Sequence, residues 1–195
     1  MAIQSCRSWK RALHFDRIRS LIQPDAVYKE ALVMPEIYLS LGSNLDQTVH
    51  IPSALRRLRA LFGELVCSGL YESDPVGCTG PVFHNLVVAC HTELSPDEVL
   101  ACLHRVEDQE GRVRGTEGLP HTLDIDLLLY GDAVLQRGRL RVPREDIIRH
   151  AFVLEPLAEM APDAVHPVLG QSYAELWKRF DSADVRQKRM GSVVY

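Results

Sequence analysis

Between Ile37 and Tyr130 short apolar runs and helical stripes take turns, and each change of period predicts an element. Ile37 to Leu41 is an apolar strand that stops at the turn Gly42-Ser43-Asn44. A helix follows, with Pro52 near its first turn and Ala54, Leu55, Leu58, Leu61 and Phe62 as its apolar stripe. Leu65 to Glu72 predicts a second strand. The turn-rich stretch SDPVGCTGP leads from it into a third, FHNLVVACHTEL. The next helix carries its own punctuation: Ser95 as N-cap, Pro96 at N1, Glu98 completing a capping box, and Gly111 as the stop. A glycine- and charge-rich loop, GRVRGTEGLP, separates it from a last strand within HTLDIDLLLYGD. The order βαββαβ predicts an α+β, ferredoxin-like core, an antiparallel sheet with both helices on one face. REDIIRHAFVLEPLAEMAP and QSYAELWKRF add further C-terminal helices.

The ends of the chain follow neither period. Residues 1–34 form a basic extension outside the core, with Arg7, Lys10, Arg11, Arg17 and Arg19 against one acid, Asp16, in the first twenty positions. A targeting presequence has this bias. The direct run of MPEIYLSLGSN into a strand favours instead a surface extension, or an upstream translation start with Met34 as the natural beginning. Residues 35–180 make the domain, and 181–195 a loose polar tail. Hydrophobic content of 46% supports one core in a chain of 195 residues and is short for two. A net charge of −4 gives no broad basic face, so nucleic acid is not an expected partner. Five cysteines without C-x-x-C spacing read as reduced thiols in a cytoplasmic protein, not as a disulfide framework or zinc site. No apolar run approaches the roughly 20 residues of a membrane span, and the expected state is a monomer or at most a weak homodimer.

Two acids interrupt the last strand. Alternation puts Leu123, Ile125, Leu127 and Leu129 on one face and Asp124 and Asp126 on the other, with the carboxylates roughly 6.5–7 Å apart along the strand. Ionised carboxylates this close repel unless a cation lies between them, and Mg²⁺ commonly binds through one or two carboxylates plus substrate phosphates. By themselves the pair also fits two solvated acids on an edge strand. Arg112 and Arg114, in a loop too glycine-rich for core, add the guanidinium forks that phosphoryl transfer needs. Glu107, on the capped helix, is placed to hold one of them or to stand as a surface acid.

The stretches YLSLGSNL, SGLYESDPVG, FHN, EGRVR, TLDIDLLLYGD, VPRED and AFVLEPLAEMAPD occur in this order. Together they resemble the 6-hydroxymethyl-7,8-dihydropterin pyrophosphokinase family, from about Ile37 to about His166. The resemblance implies transfer of diphosphate from ATP to a pterin alcohol in folate biosynthesis, with AMP released. It implies that Asp124 and Asp126 hold two Mg²⁺ ions and that Arg112 and Asp126 act at the reacting phosphates, where His121 is expected to take over from an arginine of the family. Phe83 and Phe152 would sandwich the pterin, Asn85 would bond its edge, and Ser73 and Val76 would offer backbone groups. Glu107, Arg112, Arg114, Leu127, Leu140, Arg141, Arg144, Arg149 and His150 would form the ATP side.

The chain departs from the family in the ATP clamp. An arginine–tryptophan pair is replaced near Gly118 and Leu119, and His121 stands where an arginine precedes TLD. Arg144 replaces a histidine, while His150 replaces an arginine and has Arg149 beside it. Histidine carries only part of a charge at neutral pH and cannot make the bidentate fork. Three readings compete: an active pyrophosphokinase with a rearranged clamp, a diverged paralogue that acts on or only binds another pterin, and a non-catalytic ferredoxin-like interaction module. The retained Asp124, Asp126 and Asn85 favour the first.

Overall fold

Strand β1 (Glu36–Ser43) is the spine of an antiparallel sheet, flanked by a strand on each side. Its residues Ile37, Leu39 and Leu41 are fully buried in one core, so strand alternation turns the residues between them to the opposite face. The computed structural model describes residues 34–76, 80–115, 120–181 and 186–193. The basic extension expected at 1–34 therefore lies, apart from Met34, outside the described residues, as do Gly118 and Leu119.

The elements run α1 (Gln47–Phe62), β2 (Val66–Cys67), β3 (Gly69–Ser73), β4 (Phe83–His91), α2 (Pro96–Gln109) and β5 (Asp124–Tyr130). A hairpin of β6 (Leu135–Arg137) and β7 (Leu140–Val142) comes next, then α3 (Asp146–Arg149), α4 (Ala151–Met160), α5 (Tyr173–Arg179) and β8 (Gln187–Ser192). The main sheet is ordered β5-β1-β4-β3-β8, with β2 also on β4. With β2 and β3 counted as one broken strand, the core strands lie in the order fourth, first, third, second. That is the ferredoxin-like arrangement of an α+β fold.

Two apolar layers fix the sheet. Ala54, Leu55 and Leu58 of α1 and Val99, Leu103 and Val106 of α2 pack on the face of Ile37, Leu39 and Leu41. Val153, Leu154 and Leu157 of α4 and Tyr173 of α5 cover the other face, against Val87, Leu128 and Leu129. Each fully buried aliphatic side chain contributes about 1.5–3 kcal/mol, which locks the register on both sides. The capping box at Ser95 and Glu98 forms as the residues predict.

The structure departs from the periodic reading in four places. Helix α1 begins at Gln47, a turn ahead of Pro52, and buries Ile51 where Leu61 stays exposed. The strand expected over Leu65 to Glu72 breaks at Ser68, whose N–H donates to the Val87 carbonyl at 2.9 Å while its hydroxyl accepts from the Val87 N–H at 3.0 Å. A register shift against Tyr38 and Leu39 moves Leu129 away from the face of Leu123, Ile125 and Leu127 into the α4 layer. The expected loose tail contains β8, which pairs with β3 from Gly69 to Ser73. Its polar sequence suits an exposed sheet edge, and Arg189 holds Glu159 of α4 at 2.7 Å while Gln187 donates to Glu155.

Candidate active site

The strand register gathers chemistry at one end of the sheet, on the face covered by α4. Gly42 pairs with Asp124 on one side and Asn85 on the other, Ser40 pairs with Asp126, and Ser73 pairs with Phe83. Directly paired residues share a face. Asp124, Asp126, Asn85, Phe83, Ser73, Val76 and His121 accordingly line one cavity of about 330 Å³, closed by Asp146, His150 and Phe152 from the α3–α4 segment. Asn85 is buried and donates its Nδ2 to the Ser73 hydroxyl at 2.9 Å. Gly42 is required beneath it, because a Cβ there would stand 3.0 Å from the Asn85 Oδ1 and 3.8 Å from Phe83. Phe152 presents one ring face to His150, stacked at 4.9 Å between centroids.

Each carboxylate of the pair carries an arginine. Arg112 Nη2 lies 3.1 Å from Asp124 Oδ1, and Arg144 Nη2 lies 3.0 Å from Asp126 Oδ2. Arg144 Nε also lies 2.9 Å from Asp146 Oδ2, a charge contact outside hydrogen-bond geometry. The second nitrogen of the Arg112 fork, Nη1, is buried with no hydrogen-bond partner among the described residues. Asp126 opens into the cavity, yet the protein around it desolvates the carboxyl and raises its pKa from 3.8 to about 6, against the pull of Arg144. His121 is held in place by its backbone, whose N–H donates to Asn44 Oδ1 at 2.6 Å and whose carbonyl accepts from the Asn44 and Leu45 N–H groups. Burial, then the neighbouring Arg112, lower its ring pKa, which favours the neutral ring.

A second cavity of about 440 Å³ adjoins the first and shares Asp126 and Arg144 with it. It contains the expected Leu127, Leu140 and Arg141, together with Leu100, His104 and Arg139. Five of the expected ATP-side residues stand outside it. Arg112 lines neither cavity and meets the first through Asp124. Glu107 is buried and spends one oxygen on the Ile125 N–H at 3.0 Å and the other on Arg114 at 3.1 Å. Arg114 is thereby held against α2, with Asp108 at 3.0 Å, and lines neither cavity. Arg149 pairs with Glu145 and borders a third cavity beyond Phe152, and His150 belongs to the first cavity instead of the second.

Sequence reasoning missed Asn44, Asp146, His104 and Arg139. Asn44 left a signal in the GSN turn after a strand, since a buried asparagine there must satisfy both ends of its amide. Asp146 and Arg139 look like ordinary surface charges until β7 and α3 fold them onto the cavities.

The raised pKa of Asp126 has a stability consequence with a definite sign. Its ionised form is disfavoured in the folded protein, so the stability of the ligand-free protein falls as pH rises from the unfolded value near 3.8 through about 6. Asp126→Asn should therefore stabilise the ligand-free protein at pH 7.5. With 39% of the side chain exposed, the gain discounts to about 1 kcal/mol, a rise of roughly 2–4 °C in Tm. At pH 3, below both values, the difference should vanish. Thermal melts at the two pH values check this, and an equal gain at both would refute it.

The sequence profile described as 7,8-dihydro-6-hydroxymethylpterin-pyrophosphokinase matches residues 38–162. The chain is 40% identical over 147 residues to the 2-amino-4-hydroxy-6-hydroxymethyldihydropteridine pyrophosphokinase of Haemophilus influenzae, covering 73% of this chain and 91% of that one. It is 41% identical over 135 residues to the Pseudomonas aeruginosa protein of the same name, covering 67% and 83%. Its fold is similar to the crystal structure of Plasmodium falciparum HPPK-DHPS with pterin and p-hydroxybenzoate, at a TM-score of 0.64 and 16% identity. That match covers 80% of this chain and 46% of the longer solved chain, so the present chain spans about half its length. The matched residues and the identity with these relatives establish that the chain belongs to the 7,8-dihydro-6-hydroxymethylpterin-pyrophosphokinase family.

Proposed function

We propose that the two cavities are the pterin and nucleotide halves of one pyrophosphoryl-transfer site that meet at Asp126 and Arg144. The family's reaction moves a pyrophosphoryl group from ATP to the hydroxymethyl group of 6-hydroxymethyl-7,8-dihydropterin in folate biosynthesis. The observation that carries this division is the shared wall: one carboxylate and one guanidinium belong to both cavities. A reacting phosphate at that wall would have the pterin alcohol on one side and the departing nucleotide on the other.

In the first cavity Phe83 and Phe152 offer apolar faces to a flat bicycle, and Asn85 and Ser73 offer fixed donors and acceptors to its rim. In the second, Leu100, Leu127 and Leu140 offer an apolar bed, and Arg139, Arg141 and Arg144 a cationic border for a nucleotide. Val76 and His121 also line the first cavity. A neutral His121 ring would approach a phosphate as a single hydrogen-bond donor, a weaker contact than a charged fork.

The residues present fit divalent cations. Each carboxylate already accepts positive charge from an arginine, and no third acidic, histidine or cysteine ligand completes a cage among the described residues. That donor set suits an ion that completes its shell with phosphate oxygens. Asp124 and Asp126 would hold Mg²⁺, which supplies positive charge at the ATP phosphates and makes the attacked phosphorus more electrophilic. Arg112 and Arg144 neutralise the pair and would offer their forks to phosphate oxygens beside it. Asp146 keeps Arg144 at the shared wall through its Nε.

The test is product analysis. Protein mixed with Mg-ATP and 6-hydroxymethyl-7,8-dihydropterin should release AMP, only when both are present, and EDTA in excess should abolish release. Pterin binding without AMP would instead favour the diverged, non-transferring reading, and no binding of either ligand would end the proposal.

A further inference from the structure

Outside the two cavities the chain buries one ionisable side chain more elaborately than its surroundings require. Glu110 caps the C-terminal end of α2 and keeps 6% of its side-chain surface. Its Oε1 accepts from the Ser53 hydroxyl and from Arg57 Nε, each at 2.7 Å, and its Oε2 lies 2.9 Å from His50 Nδ1. Arg57 also donates through Nη1 to the neighbouring Gln109 at 2.8 Å. The three partners stand on one stripe of α1, at spacings of three and four residues.

A carboxylate is unfavourable at this place, because the C-terminal end of a helix carries the negative pole of its dipole. Burial alone would also raise its pKa, and the hydrogen bonds from His50, Ser53 and Arg57 more than reverse that. The network therefore compensates two penalties to keep an acid where a glutamine or lysine would be easier to hold.

The turn that leaves Glu110 gives the arrangement a purpose. Gly111 takes the chain through a left-handed φ of 78°, and the Arg112 N–H returns to the Glu107 carbonyl at 3.0 Å. Arg112 and Arg114 leave directly from this turn, one to Asp124 and the other to Glu107 and Asp108. Glu107 fixes the turn from the side of β5 and Glu110 fixes it from the side of α1.

We propose that Glu110 is a positioning residue for the reaction: clamped by Ser53, Arg57 and His50, it holds the end of α2 so that Arg112 starts from a fixed point beside Asp124. The inference rests on the reading of Arg112 as a phosphate-binding group. A misplacement of about 1 Å in a positioned group can cost on the order of 10²-fold in rate, and loosening one of two anchors should cost less. Glu110→Ala should lower kcat about tenfold and raise the KM for ATP, with the pterin Kd unchanged within about twofold. Glu110→Gln keeps an acceptor for Ser53 and Arg57 and should recover most of the loss.

A role in stability alone makes a different forecast, and a matched control separates the two. Glu159 anchors a comparable cluster far from the loop, accepting from Tyr71 Oη at 2.7 Å and Arg189 Nη2 at 2.7 Å. Glu159→Ala should lower Tm and leave kcat and both KM values as they are. Backbone amide exchange of residues 111–115 should quicken in Glu110→Ala while that of β5 does not. If Glu110→Ala leaves kcat and the ATP KM within twofold, or weakens pterin in the same proportion, the proposal is overturned. If it fails to fold, Arg57→Ala, which removes one clamp of Glu110, carries the same comparison, with Glu110→Gln as its near-native reference. Arg112→Ala keeps the two readings apart. An unchanged turnover there defeats the phosphate assignment, and the exchange of residues 111–115 still decides whether Glu110 anchors the turn.

Discussion

Asp126→Ala should lower kcat by about 10³ or more while leaving the pterin Kd within about twofold. Asp126 is the residue that both cavities share with Arg144, so its loss acts at the reacting phosphate and not at either recognition surface. Three effects combine. One of the two carboxylates proposed to hold the divalent ions disappears, and the weakened charge at the phosphates alone is worth several kcal/mol of barrier. Arg144 loses the 3.0 Å partner that aims its fork at the shared wall and keeps only Asp146. Asp124 is left with Arg112 as its neutralising neighbour, a pairing that competes with phosphate for the same guanidinium. The pterin contacts proposed for Asn85, Ser73, Phe83 and Phe152 do not pass through Asp126. Single-turnover AMP formation, set beside fluorescence titration of the pterin, separates the two quantities. A fall in kcat of less than tenfold would remove Asp126 from the centre of the mechanism, and a matching fall in pterin affinity would make its role structural.

The order of elements and the burial of the first strand were legible because strand and helix periods are local properties of a chain. The αL cap at Gly111 and the box at Ser95 were legible for the same reason. What escaped depends on pairing between distant segments. Nothing in LLLY marks the register shift that sends Leu129 to the opposite layer, since it arises where β5 meets Tyr38 and Leu39. Polar QKRMGS reads as a tail until β3 offers it an edge.

The site divides in the same way. Asp124 with Asp126, and Phe83 with Asn85, are i and i+2 neighbours on single strands, so alternation alone puts each pair on one face. That the two pairs face the same cavity depends on Gly42 between them, and a glycine inside a strand is itself a sequence signal of close approach. The clamp was the hardest part. Arg114 and Arg149 have the right charge in the right motif, yet Glu107 and Glu145 hold them away from the cavities. Arg144 alone reaches the shared wall, by way of Asp146, a residue with no distinguishing pattern in the sequence.

Asn85→Ala should produce the converse of the Asp126 result. The pterin KM should rise by about 10²-fold, with kcat at saturating pterin reduced less than about tenfold and the KM for ATP unchanged. The amide is 3% exposed and already oriented: its Nδ2 is committed to the Ser73 hydroxyl at 2.9 Å, which leaves Oδ1, set above Gly42, to receive a donor from the ligand. A flat heterocycle with polar edges is selected by such fixed partners, and a buried polar group left unpaired costs about 1–3 kcal/mol. Alanine takes away the ligand's acceptor and also strands the Ser73 hydroxyl, so the two losses add to roughly the 2.7 kcal/mol that a 10²-fold change represents. The stacking surfaces of Phe83 and Phe152 remain, which is why binding should weaken and not disappear. Asn85→Asp tests the same point by charge. It keeps the shape but replaces the donor to Ser73 with a second acceptor in a buried place, and the pterin KM should rise at least as far. Equal kinetic profiles for Asn85→Ala and Asp126→Ala would mean that the sheet end acts as one undivided site, and the assignment of separate pterin and nucleotide halves would have to be given up.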